Sequence, residues 1–134
     1  MKRYTYARAF QAALIGIAIT GSATLARADI KDFEFQLVDK TVKKGDAIIS
    51  VRLIHKPDGK PVPDALIFAT RLDMAPDGMQ EMATKVTPMP GAERGVYRFK
   101  ANLSMAGGWQ LSLGAKVQGE TGTVENKLVL KAMP

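Results

Sequence analysis

The sequence predicts an all-β protein, an immunoglobulin-like two-sheet β-sandwich of about seven strands preceded by a signal peptide. Three observations predict this fold class. From Asp29 onward, apolar and polar residues alternate with a period of two, which is typical of half-buried strands. The alternating segments end at turn-forming clusters such as Lys56-Pro57-Asp58-Gly59. No segment after Asp29 keeps the periodicity of an amphipathic helix.

Residues 1–28 have the pattern of a secretory signal peptide. A basic start precedes an apolar stretch at residues 12–19, and Ala26-Arg27-Ala28 supplies small residues for cleavage. The apolar stretch is shorter than the ~20 residues that a transmembrane helix needs. The sequence therefore predicts cleavage after Ala28 and a periplasmic location. It also predicts one domain over residues 29–134 with no membrane span; an uncleaved anchor is the alternative.

The charge of the mature domain is close to neutral. Of the 19 basic residues four lie in residues 1–28, whereas none of the 13 acidic residues does, which leaves 15 against 13 and a net charge of +2. Because no basic block or basic–aromatic interleaving is present, nucleic-acid binding has no support. The chain has no cysteine, so a lipoprotein anchor, disulfides and thiolate ligands are excluded.

Seven segments carry alternating inward rows. The first three rows are Phe33, Phe35 and Leu37; Ile49, Val51 and Leu53; and Leu66, Phe68, Thr70 and Leu72. The fourth row is short and consists of Met82, Thr84 and Val86. The last three are Tyr97, Phe99, Ala101 and Leu103; Trp109, Leu111, Leu113, Ala115 and Val117; and Val124, Leu128 and Leu130. Because Asn126 interrupts the final row, that strand is predicted to be an edge.

Two aromatic residues have predicted structural roles. Glu93-Arg94-Gly95-Val96-Tyr97 resembles a tyrosine corner, in which the phenol hydroxyl bonds to backbone upstream in the chain. Trp109 follows two glycines and starts an apolar row, which predicts a core anchor whose indole N–H needs an acceptor.

Enzymatic residue patterns are absent from the sequence. There is one histidine, His55, and no cysteine, so a Cys–His pair is impossible. No Gly-x-Ser-x-Gly elbow, His-x-x-x-His pair, phosphate loop or calcium loop is present. Asp77 and Glu81 share one loop, but nothing marks them as an acid–base pair. The sequence therefore predicts a non-enzymatic protein.

Methionines cluster in the segment after the third strand. Met74 continues the third inward row and Met82 shares parity with Val86, so both are predicted at the core or its edge. Met79 follows the turn Pro76-Asp77-Gly78 and is predicted to be the most solvent-facing. Met105 joins them if the loops at one end of the sandwich meet. Three thioethers, or two with His55, would suit Cu(I); packing or an apolar docking surface is the alternative.

Three segments resemble the YtkA-like and FixH-like domains, and this resemblance covers roughly residues 29 to 131. They are Gly59-Lys60-Pro61-Val62-Pro63-Asp64-Ala65 with a strand and Met74 after it, then Gly95-Val96-Tyr97, and then Met105-Ala106-Gly107-Gly108-Trp109. The chain departs from the membrane-anchored FixH pattern by its cleavable signal. It also lacks the histidine-rich and Met–His pairs of better-defined periplasmic copper chaperones.

The resemblance implies a periplasmic accessory protein for heavy-metal handling, copper above all. It carries the candidate ligands over to Met74, Met79, Met82 and Met105. The implied partners are a metal-efflux adaptor, a cation pump or another envelope protein. The main alternative is a metal-free interaction module that docks on an efflux adaptor or envelope complex. A small enzyme or inhibitor subunit is a third, with no residue pattern to support it.

Overall fold

A computed structural model describes residues 29–91 and 93–134; the predicted signal peptide lies outside them. The strands, in chain order, are β1 (Phe33–Leu37), β2 (Thr41–Lys43), β3 (Gly45–His55), β4 (Lys60–Pro61), β5 (Leu66–Met74), β6 (Met79–Thr84), β7 (Val86–Met89), β8 (Val96–Leu103), β9 (Gly107–Lys116) and β10 (Val124–Met133). Within these two ranges there are two 3₁₀ turns, Ile30–Asp32 and Ala75–Asp77. Within the described ranges, no helix is long and apolar enough to cross a membrane.

The strands form two sheets that pack face to face, which confirms the predicted immunoglobulin-like sandwich. Sheet 1 has the order β1-β3-β8-β7, with the short β4 also paired to β3. Sheet 2 has the order β2-β10-β9-β5-β6. The pairs are antiparallel except for β2 with β10, which is parallel.

Two of the seven predicted strands cross between the sheets, and this raises the number of strand segments. The predicted first strand becomes β1, which pairs with β3 in sheet 1, and β2, which pairs with β10 in sheet 2. The predicted fourth strand becomes β6 in sheet 2 and β7 in sheet 1, with Lys85 between them. Because the chain crosses at Lys85, the pairing of β6 with β5 ends at Leu72 and Thr84.

The core lies between the two sheets and is built from the predicted inward rows. Phe35, Val51, Phe99, Leu111 and Leu130 are each no more than 2% exposed, and each comes from a different predicted row. Burying a large apolar side chain of this kind contributes about 1.5–3 kcal/mol relative to leaving it in water. Alternation therefore located five of the rows correctly.

The third predicted row is wrong at its start. Leu66 and Phe68 are 64% and 52% exposed, whereas Ile67 packs against the core. A β-bulge is responsible, because Ile67 pairs with Ala115 and Ala69 with the next residue, Gly114, which leaves Phe68 as an extra residue. The Phe68 ring lies over Gly114, so its Cζ would be 3.2 Å from a Cβ there. From Leu72 onward the row points inward as predicted.

The last strand is an edge over its first half only. β2 pairs with β10 through Lys131–Met133, and between residues 124 and 130 no other strand of the described residues pairs with β10 on that side. Asn126 covers this stretch, since its Oδ1 accepts the backbone N–H of Phe35 at 2.8 Å and joins β10 to β1. The residue that interrupts the apolar row therefore bridges the two sheets.

The predicted tyrosine corner is present. The Tyr97 hydroxyl donates to the Val62 carbonyl at 2.7 Å and accepts the Ala65 N–H at 3.0 Å. Gly95 precedes the strand with φ +79°, and a Cβ at that position would lie 2.6 Å from Pro61 Cβ. The corner thus fixes the connection between β4 and β5, and it needs glycine at position 95.

Replacing Tyr97 by Phe is expected to lower the free energy of unfolding by about 1–3 kcal/mol, because two backbone groups lose their partner. Burial raises the pKa of Tyr97 above its ordinary value of 10.0, and the nearby Asp64 charge adds to the increase. Since the folded pKa is the higher one, the contribution of the hydroxyl is complete below pH 10 and falls as the pH rises above it.

Urea denaturation of the wild type and Tyr97→Phe at pH 8 and above pH 10 measures both effects. The stability difference between the two proteins is expected to shrink at the higher pH. A difference that stays constant with pH, or one below about 0.5 kcal/mol, would contradict the corner's role.

Candidate functional site

A tight loop joins β5 to β6 and carries two of the four candidate methionines. Met74 ends β5 and Met79 begins β6, and the two residues are paired across the antiparallel strands. Between them lies the 3₁₀ turn Ala75–Asp77, which ends at Gly78 in the left-handed conformation with φ +74°. Because the turn closes in so few residues, Met79 lies opposite Met74 and packs partly against the core.

Asp73 holds this loop in place. Its carboxylate is 4% exposed, accepts the Ala75 N–H at 2.9 Å and accepts Nε of Arg71 at 2.7 Å. Arg71 also donates through Nη2 to the Gln80 carbonyl at 2.9 Å. The buried carboxylate is therefore paired on both oxygens and serves the loop structure.

The loop between β8 and β9 meets the β5–β6 loop at the same end of the sandwich. Asp77 accepts the Gly108 N–H through Oδ2 at 3.1 Å. Gly107 has φ +137°, and a Cβ there would overlap the Asp77 carboxylate and lie 3.0 Å from Cε of Met74. Gly107 thus permits the close approach of the two loops. The two loops thus meet, which is the condition under which Met105 joins the other methionines, and Met105 lies two residues before this contact.

The side chain of Trp109 holds the β8–β9 loop against the core. The side chain is 1% exposed, and its Nε1–H donates to the Met105 carbonyl at 3.0 Å. The prediction of a core tryptophan with a satisfied indole is confirmed. The bond ties the backbone of Met105 to the core, whereas the Met105 side chain remains exposed.

The four candidate methionines differ in exposure. Met74 is completely buried, and Met82 is half-buried against the core, in agreement with the prediction. Met79 is also half-buried against the core, so the prediction that it is the most solvent-facing is wrong. The exposed thioether is Met105, at 41%. Among the four candidates, Met74 is therefore the most buried and Met105 the most exposed.

His55 does not join this cluster. Gly45 pairs with Leu103 near the Met105 turn, whereas His55 lies at the other end of the eleven-residue strand β3, roughly 30 Å away. The Nδ1 atom of His55 is 3.1 Å from Asp58 Oδ1. Within the described ranges, no group of three or more His, Cys, Asp or Glu residues could hold a metal. The soft-metal hypothesis therefore depends on thioethers.

Met133 is a methionine that the sequence patterns did not single out. Ala132 pairs with Gly107, so the next residue, Met133, lies beside the Met105 turn at the end of sheet 2. Met133 is 41% exposed, the same fraction as Met105. Only the register of β9 against β10 places these residues together, and they are 28 positions apart in the sequence.

The fold and this cluster define a class, a small immunoglobulin-like β-sandwich with methionines gathered at one end. The model of the YtkA-like family matches residues 27–114, about two thirds of the chain, so the protein belongs to the YtkA-like family. The matched segment includes all four candidate methionines and ends before Met133. No curated protein matches the chain.

Three solved structures resemble this one at low sequence identity. A DUF4426 family protein from Pseudomonas aeruginosa PAO1 is 12% identical with a TM-score of 0.50, over 76% of this chain and 89% of that one. The Lin-41 filamin domain is 18% identical with a TM-score of 0.46, over 80% and 95%. The ZirS C-terminal domain is 9% identical with a TM-score of 0.46, over 97% and 86%. The likeness to the DUF4426 family protein is evidence for the fold only, not for a function.

Proposed function

We propose that this protein is a periplasmic, non-enzymatic accessory protein that binds Cu(I) or a similar soft cation and helps to deliver or export it. The proposed ligands are Met74, Met79, Met82 and Met105. The observation that carries the proposal is the meeting of two loops. Met74 pairs with Met79 across the strands, and its methyl group lies against Gly107, two residues after Met105.

The donor set suits a soft cation. A thioether is neutral, needs no deprotonation and prefers Cu(I) to hard cations such as Mg²⁺ or Ca²⁺. A cation that enters a partly buried site loses hydration, and this cost is lower when an opposite charge is near. The Asp77 carboxylate, which bonds to Gly108 and lies against Gly107, supplies that charge.

The difference in exposure between Met74 and Met105 indicates the side from which a metal would enter the proposed site. Met105 is the thioether that meets solvent, and Met74 is completely buried. A partner that hands over or removes the metal would therefore approach the β8–β9 loop. The partner class that fits this proposal is a metal-efflux adaptor, a cation pump or another protein of the cell envelope.

Competition titration tests the proposal. The purified protein is titrated anaerobically against a colorimetric Cu(I) chelator, and we expect uptake of Cu(I) at micromolar concentration. Met79→Leu with Met105→Leu is expected to weaken the uptake by about tenfold or more, because leucine keeps the volume and lacks the sulfur. Met89→Leu is the matched control, since Met89 is half-buried in β7 beside Arg98.

Two results would reject copper binding. One is no uptake by the wild type at micromolar Cu(I). The other is unchanged uptake when all four proposed ligands are leucine and the protein remains folded by circular dichroism.

A metal-free interaction module is the second candidate. The complete burial of Met74 and the half-burial of Met79 and Met82 favour it, because these side chains already have a packing role. In that case Met→Leu changes would leave partner binding intact. Pull-downs from envelope extracts with and without a copper chelator separate the two candidates, since only a metal-dependent partner is lost with the chelator.

A further inference from the structure

One side of the sandwich has a strand edge without a partner in the described residues. β6 pairs with β5 only through Leu72, Asp73 and Met74 and then crosses to sheet 1 at Lys85. The edge of β5 from Leu66 to Arg71 that faces away from β9 therefore has no neighbouring strand within residues 29–91 and 93–134. Unpaired N–H and C=O groups along an edge are a template for another strand.

A groove with both polar and apolar lining lies beside this edge. Its walls come from β5 on one sheet and from β7 and β8 on the other, with Ile67, Ala69, Pro88, Met89 and Tyr97 among the lining residues. The groove occupies the lateral position that β6 leaves at its crossing. It is separate from the Met74–Met105 end, because it begins at the opposite end of β5.

The residues of β5 and β7 determine which of these two strands can pair with an added strand. Pro88 lies in β7 and has no N–H to donate, so β7 is a poor template. β5 contains no proline from Leu66 to Met74. The bulge at Phe68 interrupts the regular ladder, which restricts pairing to a short segment and disfavours long edge-to-edge pairing between copies.

The charge of Arg98, a lining residue, indicates which kind of segment the groove would bind. Arg98 lines it and donates through Nε to the Pro90 carbonyl at 3.0 Å, and its terminal nitrogens have no hydrogen-bond acceptor among the described residues. No carboxylate is among the lining residues, and the exposed Asp64 lies just outside them, next to Ala65 and near Tyr97. An acidic side chain on the occupant would meet the charge of Arg98.

We propose that the groove between β5 and β7 binds an extended segment of a partner protein. The segment adds one strand to the free edge of β5 and places alternate apolar side chains in the groove. A carboxylate of the segment pairs with Arg98, for which a planar guanidinium offers two parallel N–H donors. This proposal does not depend on metal binding.

A pool of seven-residue peptides tests the proposal. The peptides carry Val, Ile, Leu or Phe at alternate positions and Glu, Ser or Lys at the others, and the pool is passed over immobilised protein. We expect retention of Glu-containing peptides with a Kd tighter than about 1 mM. For the best peptide, backbone amide NMR is expected to show shifts confined to β5, β7 and β8.

Arg98→Glu is expected to weaken binding of the Glu-containing peptide by about tenfold and to favour its Lys-containing counterpart. Arg52→Glu is the control, because Arg52 is exposed on the same sheet, in β3, and does not line the groove. Three outcomes would overturn the proposal. They are no retained peptide, shifts centred elsewhere such as the free half of β10, or concentration-dependent shifts in protein alone that show self-association at this edge.

Discussion

Replacing Trp109 by Ala is expected to lower the free energy of unfolding by about 3–5 kcal/mol. The side chain is 1% exposed and lies at the start of the central strand β9, so its removal leaves a large cavity between the sheets. A domain of this size has a total stability of about 5–15 kcal/mol, and it has no disulfide to limit the loss. The variant is therefore expected to be at the margin of folding.

Guanidinium denaturation followed by far-ultraviolet circular dichroism measures this loss, since the fluorescent residue itself is removed. Trp109→Phe provides the comparison, because it keeps most of the apolar volume and removes the N–H bond to the Met105 carbonyl. The expected cost of Trp109→Phe is smaller and is accompanied by faster hydrogen exchange in the Met105 turn. A cost below about 1 kcal/mol for Trp109→Ala would show that this residue is not a core anchor.

Replacing Met74 by Ala is expected to cost about 2–5 kcal/mol, because Met74 has no exposed surface and packs against Gly107. Met74→Leu conserves the volume and is expected to cost less than about 1.5 kcal/mol. The pair of variants separates the two roles of this side chain. Alanine removes both packing and sulfur, whereas leucine removes the sulfur alone.

Denaturation curves and Cu(I) titration on the same samples check this prediction. If Met74→Leu keeps the fold and loses uptake, Met74 acts as a ligand from within the core. If it keeps both, its role is packing and the outer methionines would have to bind the metal. A loss below about 1 kcal/mol in Met74→Ala would contradict the burial of this residue.

Much of the fold follows from alternation and turn chemistry. The rows of β3, β8 and β9 were predicted with the correct inward faces, because a strand with one buried face must place apolar residues at every second position. The tyrosine corner was also predicted, since Gly95 and Tyr97 have recognisable roles in a local motif. These features depend on interactions whose partners have characteristic residue types.

The inward face of early β5 could not be predicted in this way. Leu66, Phe68, Thr70 and Leu72 alternate without interruption, yet the bulge at Phe68 sends the first two outward. The bulge contains no glycine or proline that would mark it. Its position depends on Gly114 in β9, which leaves room for the Phe68 ring. A cross-strand contact of this kind has no signal in the strand where the bulge occurs.

The candidate site also combines features that the sequence predicted with features that only the structure revealed. The sequence identified the four methionines and the loops that carry them, because proline, aspartate and glycine mark the turns. Strand parity predicted the burial of Met74 and Met82, whereas only the tertiary structure decided the exposure of Met79 and Met105. The closing of the 3₁₀ turn buries part of Met79, and the indole bond beneath the β8–β9 loop leaves Met105 outside.

The sequence by itself determined the sandwich, most of its inward rows and the absence of cysteine chemistry, since each depends on local periodicity or composition. The tertiary structure decided that His55 lies at the far end of β3, that Met133 lies beside the Met105 turn, and that β6 pairs with β5 only from Leu72 onward. These three facts depend on register and on the crossing between sheets. Register is set by pairs of residues distant in the chain, so no single segment contains it.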